Sequence, residues 1–179
     1  MTIVMLFGLF GIVLFLFYIF FVSKKLSPVP YFPTNKKDLS LIVKSMNLKN
    51  NMNVVDLGAG IGTVIFKVSR LAYDKKLNTK FYAVEINHIL IFILYLRKLF
   101  SKNGQNVFVN YCDMMKLDLK QFKNPLFFLY LSPFYLEKVY KKIKKEVKSL
   151  KIITYFYEIP KIKYSSKLNG INDVFVYSE

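Results

Sequence analysis

The chain has 179 residues, a formal net charge of +16 and a hydrophobic fraction of 54%. The aromatic and aliphatic content excludes intrinsic disorder, and the single cysteine, Cys112, excludes a disulfide scaffold. Residues 1–23 contain no Asp, Glu, Lys or Arg, so every charged side chain lies in 24–179. The chain therefore divides into an apolar N-terminal segment and one basic domain of ordinary size.

The apolar segment predicts a membrane anchor. Residues 3–22 form an uninterrupted apolar run, and ~20 helical residues at ~1.5 Å each span a ~30 Å hydrocarbon core. No basic residue precedes the run and no small-x-small site follows it, which favours a retained anchor over a cleaved signal peptide. Lys24 and Lys25 come next, so the positive-inside rule places the domain on the cytoplasmic side of the cell membrane. The matrix side of an organelle inner membrane is topologically equivalent. We expect one transmembrane helix over 1–23 and a Pro-rich linker over 24–34.

The remaining segment, 35–179, alternates helices with strands. Hydrophobic spacing predicts helices over 38–48, 63–73, 89–101 and from Pro133 onward. Short apolar runs predict strands over 53–57, 80–86, 106–111, 125–131, 150–157 and 173–178. Such alternation implies crossover connections, and hence an α/β, Rossmann-like three-layer sandwich with a mainly parallel sheet.

A glycine-rich turn follows the first strand of the predicted sheet. Gly58, Ala59, Gly60 and Gly62 come after the strand, and Asp56 stands two residues before the first glycine. Glycines permit positive φ and let a ligand approach the backbone closely. A dinucleotide fingerprint requires a glycine at position 63, which is Thr63 here. The spacing thus argues against NAD and for a ligand without a pyrophosphate.

Acidic residues end three consecutive strands. Glu85 ends the second strand, where a carboxylate can accept hydrogen bonds from two ribose hydroxyls. Asp113 follows the third strand, where it can accept a hydrogen bond from an adenine amino group. Each acid alone is equally well explained as a helix cap or a solvated loop residue. Their shared position at carboxyl ends of strands favours one ligand site, and no metal-ligand spacing appears in the sequence.

These motifs together resemble those of class I methyltransferases that use S-adenosylmethionine. Residues 56–62 match the first motif of that family, 83–87 the second and 110–113 the third. The resemblance implies S-adenosyl-L-methionine as the cofactor. The residues it implies for cofactor binding are Asp56, Gly58, Ala59, Gly60, Gly62, Glu85, Ile86, Asn87, Asp113 and Met114.

More narrowly, the chain is similar to small membrane-anchored lysine methyltransferases related to the ATP synthase c-subunit lysine methyltransferase. The matching features are the N-terminal apolar helix, Pro33-Thr34, 85–87 and Leu131-Ser132-Pro133. This similarity adds Thr34 to the expected cofactor contacts. The chain departs from the family pattern at Ile61 and Thr63, where an acid and an arginine are usual. That departure leaves open a membrane-anchored protein that binds the cofactor without catalysis.

The segment after the fourth strand carries the expected catalytic residues. A lysine amine must be neutral to accept a methyl group, so a site has to orient the amine and favour its uncharged form. We expect Ser132 and the carbonyls of Tyr130 and Leu131 to orient it, with Phe134 or Tyr135 as an aromatic wall beside Pro133. The alternative is that Pro133 merely starts a helix whose aromatic residues belong to the core.

The basic surface predicts an anionic partner. Lysines decorate the helix after Pro133, which fits either nucleic acid or lipid headgroups. We favour anionic lipids, because Arg70 and Arg97 are the only arginines and the domain is expected to be tethered. The expected substrate is a membrane-associated protein, with a lipid amine or RNA as alternatives. His88 is interpreted as a helix-start residue. The segment 89–96 is apolar all round its helix and is either a buried element or a second membrane contact, of which we expect burial.

Overall fold

The structure is a computed structural model, and it describes residues 2–21 and 32–178. The first helix, α1 (Thr2–Phe21), has described side chains at positions 6–15, and all of them are exposed. Among the residues so described, no helix is both long and apolar enough to cross a membrane. The transmembrane helix expected ahead of the domain is therefore not found in that part of the chain. Residues 24–31 of the predicted linker lie outside the described residues.

The domain contains every helix and strand that the sequence predicts, with ends shifted by one or two residues. Asn87 caps a helix, because its side chain accepts hydrogen bonds from the backbone N–H groups of Ile89 and Leu90. One strand was not predicted, since its three residues show no hydrophobic alternation. The elements are α2 (Leu39–Met46), β1 (Asn53–Leu57), α3 (Thr63–Asp74), β2 (Lys80–Glu85), α4 (His88–Leu99), β3 (Val107–Tyr111), β4 (Pro125–Leu129), α5 (Pro133–Glu146), β5 (Lys151–Tyr155), β6 (Ser166–Leu168) and β7 (Val174–Ser178).

The strands form one sheet in the order β3-β2-β1-β4-β5-β7-β6. Strands β1 to β5 are mutually parallel, while β7 runs antiparallel to both β5 and β6. The order reverses between β1 and β4, which makes their carboxyl ends the topological switch point. The loops after β1, β2, β3 and β4 therefore converge at one edge of the sheet.

The sheet is covered on both faces, so the predicted three layers are present. In β4, Leu126 and Phe128 face a cluster that includes residues of α2, α3 and α4. The intervening Phe127 and Leu129 face a second cluster built with α5. This period-two alternation in a strand with both faces buried is what a central parallel strand requires.

A buried carboxylate ties the start of α2 to the end of the sheet. Asp38 accepts hydrogen bonds from Tyr155 Oη at 2.7 Å, Ile171 N at 2.8 Å and Asn172 N at 3.0 Å. Burial alone would raise the Asp38 pKa, but these donors outweigh it and hold the pKa below its ordinary value. The segment that leads into α2 is fixed by this network, and that segment contains Thr34.

Candidate functional site

A cleft opens where the carboxyl ends of β1, β2, β3 and β4 meet. It encloses about 820 Å³ of empty space, part of it open to solvent. The residues that line it are Phe32, Thr34, Asp56, Gly58, Ala59, Gly60, Thr63, Val64, Val84, Glu85, Ile86, Leu90, Cys112, Asp113, Met114, Phe128, Tyr130 and Leu131.

The glycine loop forms the floor between β1 and α3. Gly58 and Gly60 have φ of 90° and 57°, in the left-handed region that glycine tolerates. The backbone N–H groups of Gly58 and Ala59 both donate to the Val84 carbonyl at 2.9 Å. The loop is thereby held against β2 with its backbone exposed to the cleft.

Gly62 has a different position from the one that the motif predicts. It lies outside the residues that line the cleft and begins α3 with φ of 77°. A Cβ on Gly62 would stand 2.7 Å from side-chain atoms of Leu94 and Phe66. The structure therefore gives Gly62 a packing reason to be glycine, and its contact with a cofactor stays a prediction.

Glu85 connects the glycine loop to the start of α4. Its Oε2 accepts a hydrogen bond from Gly60 N at 2.9 Å, and its Oε1 accepts from Ile86 N at 2.8 Å and Asn87 N at 2.9 Å. A carboxylate has about four acceptor positions, so one remains for a ligand hydroxyl. The same buried group thus shapes the loop and is available to a ligand.

Asp56 is buried beside Glu85 at the end of β1. Burial and the nearby Glu85 charge raise its pKa to about 8. Within the described part of the chain, no hydrogen bond to its carboxylate is found. A buried, unbonded carboxyl group in a cleft is a natural partner for a cationic ligand.

Asp113 and Met114 lie on the far wall, after β3. Asp113 Oδ1 accepts a hydrogen bond from Met115 N at 2.8 Å, which fixes the loop and leaves the second oxygen for a ligand. The neighbouring Cys112 also lines the cleft and is half-buried. The structure thus brings the acids after β1, β2 and β3 into one cavity.

Ile86 and Asn87, both expected to contact the cofactor, differ in whether they line the cleft. Ile86 lines the cleft, whereas Asn87 lies behind it as the cap of α4. Asn87 is buried, and its Nδ2 has no hydrogen-bond partner among the described residues. An unpaired buried donor is costly, so this amide next to the cleft has unused capacity for a ligand or a bridging water.

The expected catalytic residues lie at the start of α5. Tyr130 and Leu131 line the cleft, but Ser132, Pro133, Phe134 and Tyr135 are not among its lining residues. Ser132 precedes α5 without a side-chain capping bond, and Pro133 is the first helical residue. Ser132, Pro133 and Phe134 are exposed, while Tyr135 packs against the core cluster under α5. Their catalytic role stays a prediction.

Aromatic residues line the side of the cleft next to β4, and the sequence did not single them out as walls. They are Phe32, Phe128 and Tyr130. Tyr130 packs edge to face on Tyr155, with ring centroids 4.9 Å apart. Burial and the nearby Tyr157 raise the Tyr130 pKa, so its phenol is neutral near pH 7. Only the fold reveals this wall, because Phe32 is distant in sequence from β4.

The glycine loop lacks the arginine that the family motif has, but an arginine from α4 contacts the loop. Thr63 lines the cleft where an arginine was expected. Arg97 of α4 donates a hydrogen bond from Nη1 to the Ile61 carbonyl at 2.6 Å, and its guanidinium lies 5.0 Å from the Phe66 ring centroid. An arginine therefore supports the glycine loop from outside, although it does not line the cleft.

The arrangement fits a nucleoside with a cationic group. Carboxylates stand at three places along the cleft, two of them with an acceptor position open, and an aromatic wall faces them. Aromatic faces and carboxylates both stabilise positive charge. Among the described residues, no group of His, Cys, Asp or Glu could hold a metal ion.

Comparison with solved structures identifies the fold. An RNA methyltransferase from Salinibacter ruber, solved with S-adenosyl-L-homocysteine, matches with a TM-score of 0.73 at 15% identity, over 82% of this chain and 93% of its own. A precorrin-6y C5,15-methyltransferase from Geobacter metallireducens matches with a TM-score of 0.61 at 17% identity, over 88% and 92%. A SAM-dependent methyltransferase from Aquifex aeolicus gives 0.58 at 19%, over 79% and 88%. No protein-family model matches the chain, and no curated protein matches its sequence. The chain thus has the class I methyltransferase fold.

Proposed function

We propose that this protein is an S-adenosylmethionine-dependent methyltransferase. The observation that carries the proposal is the gathering of Asp56, Glu85 and Asp113 around the glycine loop in one cleft. Two of the structural neighbours, from Salinibacter ruber and Geobacter sulfurreducens, are described as complexes with S-adenosyl-L-homocysteine, the product of methyl transfer. The cleft lies at the switch point of the sheet, which is where open α/β sheets bind their ligands.

Each acid has a part in the proposed binding. Glu85 accepts a hydrogen bond from the ribose with its remaining acceptor position, and Asp113 accepts one from the adenine amino group. Asp56, which has no hydrogen bond among the described residues, offsets the positive charge of the methionine portion. The cofactor supplies an electrophilic methyl group on a cationic sulfur.

The aromatic wall favours an amine as the acceptor. In the proposed reaction the amine nitrogen forms a bond to the methyl carbon while the carbon–sulfur bond breaks, and the amine gives up one proton to solvent. Tyr130 and Phe32 offer aromatic faces that can hold an ammonium or a sulfonium group. Ser132 and the carbonyls of Tyr130 and Leu131 are the proposed orienting groups. A protein lysine is the acceptor that best combines this chemistry with the resemblance described above.

We further propose that the target is associated with a membrane. The support is the uncharged N-terminal segment, which is helical over Thr2–Phe21 and is followed by Lys24 and Lys25. A single-pass anchor there would hold the domain at the cytoplasmic face of the cell membrane, or at the matrix face of an organelle inner membrane.

RNA is the second candidate substrate. The basic α5 surface and the likeness in fold to the Salinibacter ruber RNA methyltransferase both favour it.

Methylation of a lipid amine, and cofactor binding without catalysis, are further outcomes that one labelling experiment separates. In that experiment the full chain is incubated with labelled cofactor, its own membranes and RNA, and the three fractions are then separated. Label in protein supports the lysine assignment, whereas label in lipid or RNA alone contradicts it.

Calorimetry tests the cofactor assignment directly. We expect Glu85→Ala to weaken S-adenosylmethionine binding by about tenfold or more, because it removes both a ligand acceptor and the anchor of the loop. Glu137→Ala is the matched control, since Glu137 lies on α5 and pairs only with exposed Lys141 in the described structure. Glu85→Gln separates loop support from charge. Failure of the unmodified chain to bind would contradict the proposed function.

A further inference from the structure

The outward face of α4 carries a continuous apolar stripe. Its members occupy positions i, i+3, i+4, i+7 and i+8, which share one side of a helix. Their exposed fractions are large enough to exclude a core position. The stripe consists of Phe92 (63% exposed), Tyr95 (48%), Leu96 (40%), Leu99 (77%) and Phe100 (88%).

The burial expected for 89–96 is therefore wrong on this side of the helix. Leu90 and Leu94 are buried and face the sheet, so the inward face alone satisfies the core. Nothing in the described part of the chain covers the opposite face. Tyr111, an aromatic residue of the edge strand β3, is exposed as well and contacts His88 at the start of α4. Contiguous exposed apolar groups of this kind mark an interaction surface.

The charges around the stripe identify its partner as anionic. No Asp or Glu occurs in residues 86–112, whereas Arg97, Lys98 and Lys102 all lie there. Lys98 lies on α4 directly before Leu99 of the stripe, so a cation borders the apolar surface. An apolar stripe with basic neighbours and no acids is the pattern of helices that lie in the interface of an anionic bilayer.

The aromatic residues fit the same partner. Tyr95 and Tyr111 are amphipathic, with ring bodies that prefer the apolar side of a bilayer interface and hydroxyls that prefer the wet side. Tyr111 Oη already pairs with His88 Nε2 at 2.9 Å, at the first residue of α4. His88 is two residues along the chain from Ile86, which lines the cleft.

We propose that α4 is a membrane-docking element whose stripe, Phe92 to Phe100, inserts into the headgroup region of an anionic bilayer. The docking surface on α4 lies on one face of the sheet. Helix α5, which carries the lysines, packs over the second core cluster on the opposite face. It does not depend on methyl transfer. A second copy of this chain is the competing occupant, and the test distinguishes the two.

The chain contains no tryptophan, which allows a single-probe experiment on the full protein. Phe92→Trp places the probe in the stripe. Ile171→Trp is the matched control, because Ile171 is equally exposed, at 63%, and lies in the turn between β6 and β7 at the far end of the sheet. Both variants are reconstituted into phosphatidylcholine–phosphatidylglycerol vesicles, with and without brominated acyl chains.

We expect the emission of Phe92→Trp to shift to shorter wavelength and to be quenched by about half by the brominated lipid. Ile171→Trp should show neither change. Adding Leu99→Asp and Phe100→Asp to Phe92→Trp should abolish the quenching while the far-ultraviolet circular dichroism stays unchanged. Equal quenching of both single variants would overturn the proposal, and so would a lipid-independent shift that grows with protein concentration, because that result would indicate a second copy.

Discussion

Asp56 is a buried carboxyl group whose ionisation is coupled to what enters the cleft. In the free protein its pKa is raised to about 8, first by burial and then by Glu85. Below that pH the group is mostly protonated and neutral. A cationic ligand favours the ionised form, so its binding must lower the Asp56 pKa and release a proton.

The affinity for S-adenosylmethionine is therefore expected to rise with pH up to about 8. Each unit below 8 adds up to about 1.4 kcal/mol of deprotonation cost, or about tenfold in affinity, so we expect an increase of up to about fiftyfold between pH 6 and 8. Asp56→Asn should flatten this profile, whereas Asp118→Asn, outside the cleft lining, should keep it. Calorimetry in buffers of different ionisation enthalpy measures the released proton. A parallel slope for Asp56→Asn and the unmodified chain would contradict this role.

At the residue scale, the sequence predicted the positions of the acids better than the roles of their neighbours. Asp56 and Glu85 lie at the carboxyl ends of β1 and β2, Asp113 follows β3, and strand ends are readable from apolar runs. The reason for a glycine at 62 depends on Leu94, which belongs to another helix. Such a contact between distant residues leaves no local signal in the sequence.

At the element scale, the network of Asp38, Tyr155 and Asn172 joins α2, β5 and the turn before β7. Tyr155 Oη donates to Asp38 and accepts from Asn172 Nδ2 at 2.8 Å. Burial and the Asp38 carboxylate raise the Tyr155 pKa to about 12, so the phenol remains a donor at any physiological pH. The network thus fixes the segment that carries Thr34 into the cleft.

Tyr155→Phe should destabilise the domain by about 1–3 kcal/mol, since it leaves buried Asp38 and Asn172 short of a partner. Because the folded Asp38 pKa lies below its unfolded value, the stabilisation is present above about pH 4 and is lost as the pH falls further. The difference between variant and unmodified chain should shrink accordingly. Denaturant unfolding measures both effects, with Tyr164→Phe as an exposed control. Equal losses in the two variants would contradict the network's importance.

The elements themselves were predictable because helix and strand periods are local. The mainly parallel sheet followed from the alternation of helices and strands, but the order of its strands and the exposure of α4 did not. Phe92, Leu96 and Leu99 are as apolar as Leu90 and Leu94. The spacing of apolar residues therefore does not distinguish a helix face that is buried in the core from one that is exposed for binding. The strand β6 escaped prediction because its three residues are mostly exposed at the sheet edge.

At the scale of the whole molecule, the apolar N-terminal segment and the basic domain have separable tasks. The described side chains of α1 are exposed, and none lines the cleft. Removing residues 1–23 is therefore expected to leave the affinity for S-adenosylmethionine within about twofold, while labelling of membrane-associated targets falls by about tenfold or more. Calorimetry and labelled-cofactor assays measure the two effects. Equal labelling by both forms would show that the segment does not bring the domain to its substrate.

Asp38 pairs with residues that are far away in sequence, and this affects the order in which the domain can fold during synthesis. Its backbone partner Ile171 is synthesised 133 residues later, which is a delay of about 7–30 s at ordinary translation rates. During that interval the glycine loop and its acids can already pair with their neighbours, while Asp38 still lacks its two backbone donors, Ile171 and Asn172. A nascent chain would therefore acquire its acids first and close its cofactor site last. A chain that terminates before residue 171 should therefore form much of its secondary structure but leave the cofactor site incompletely closed.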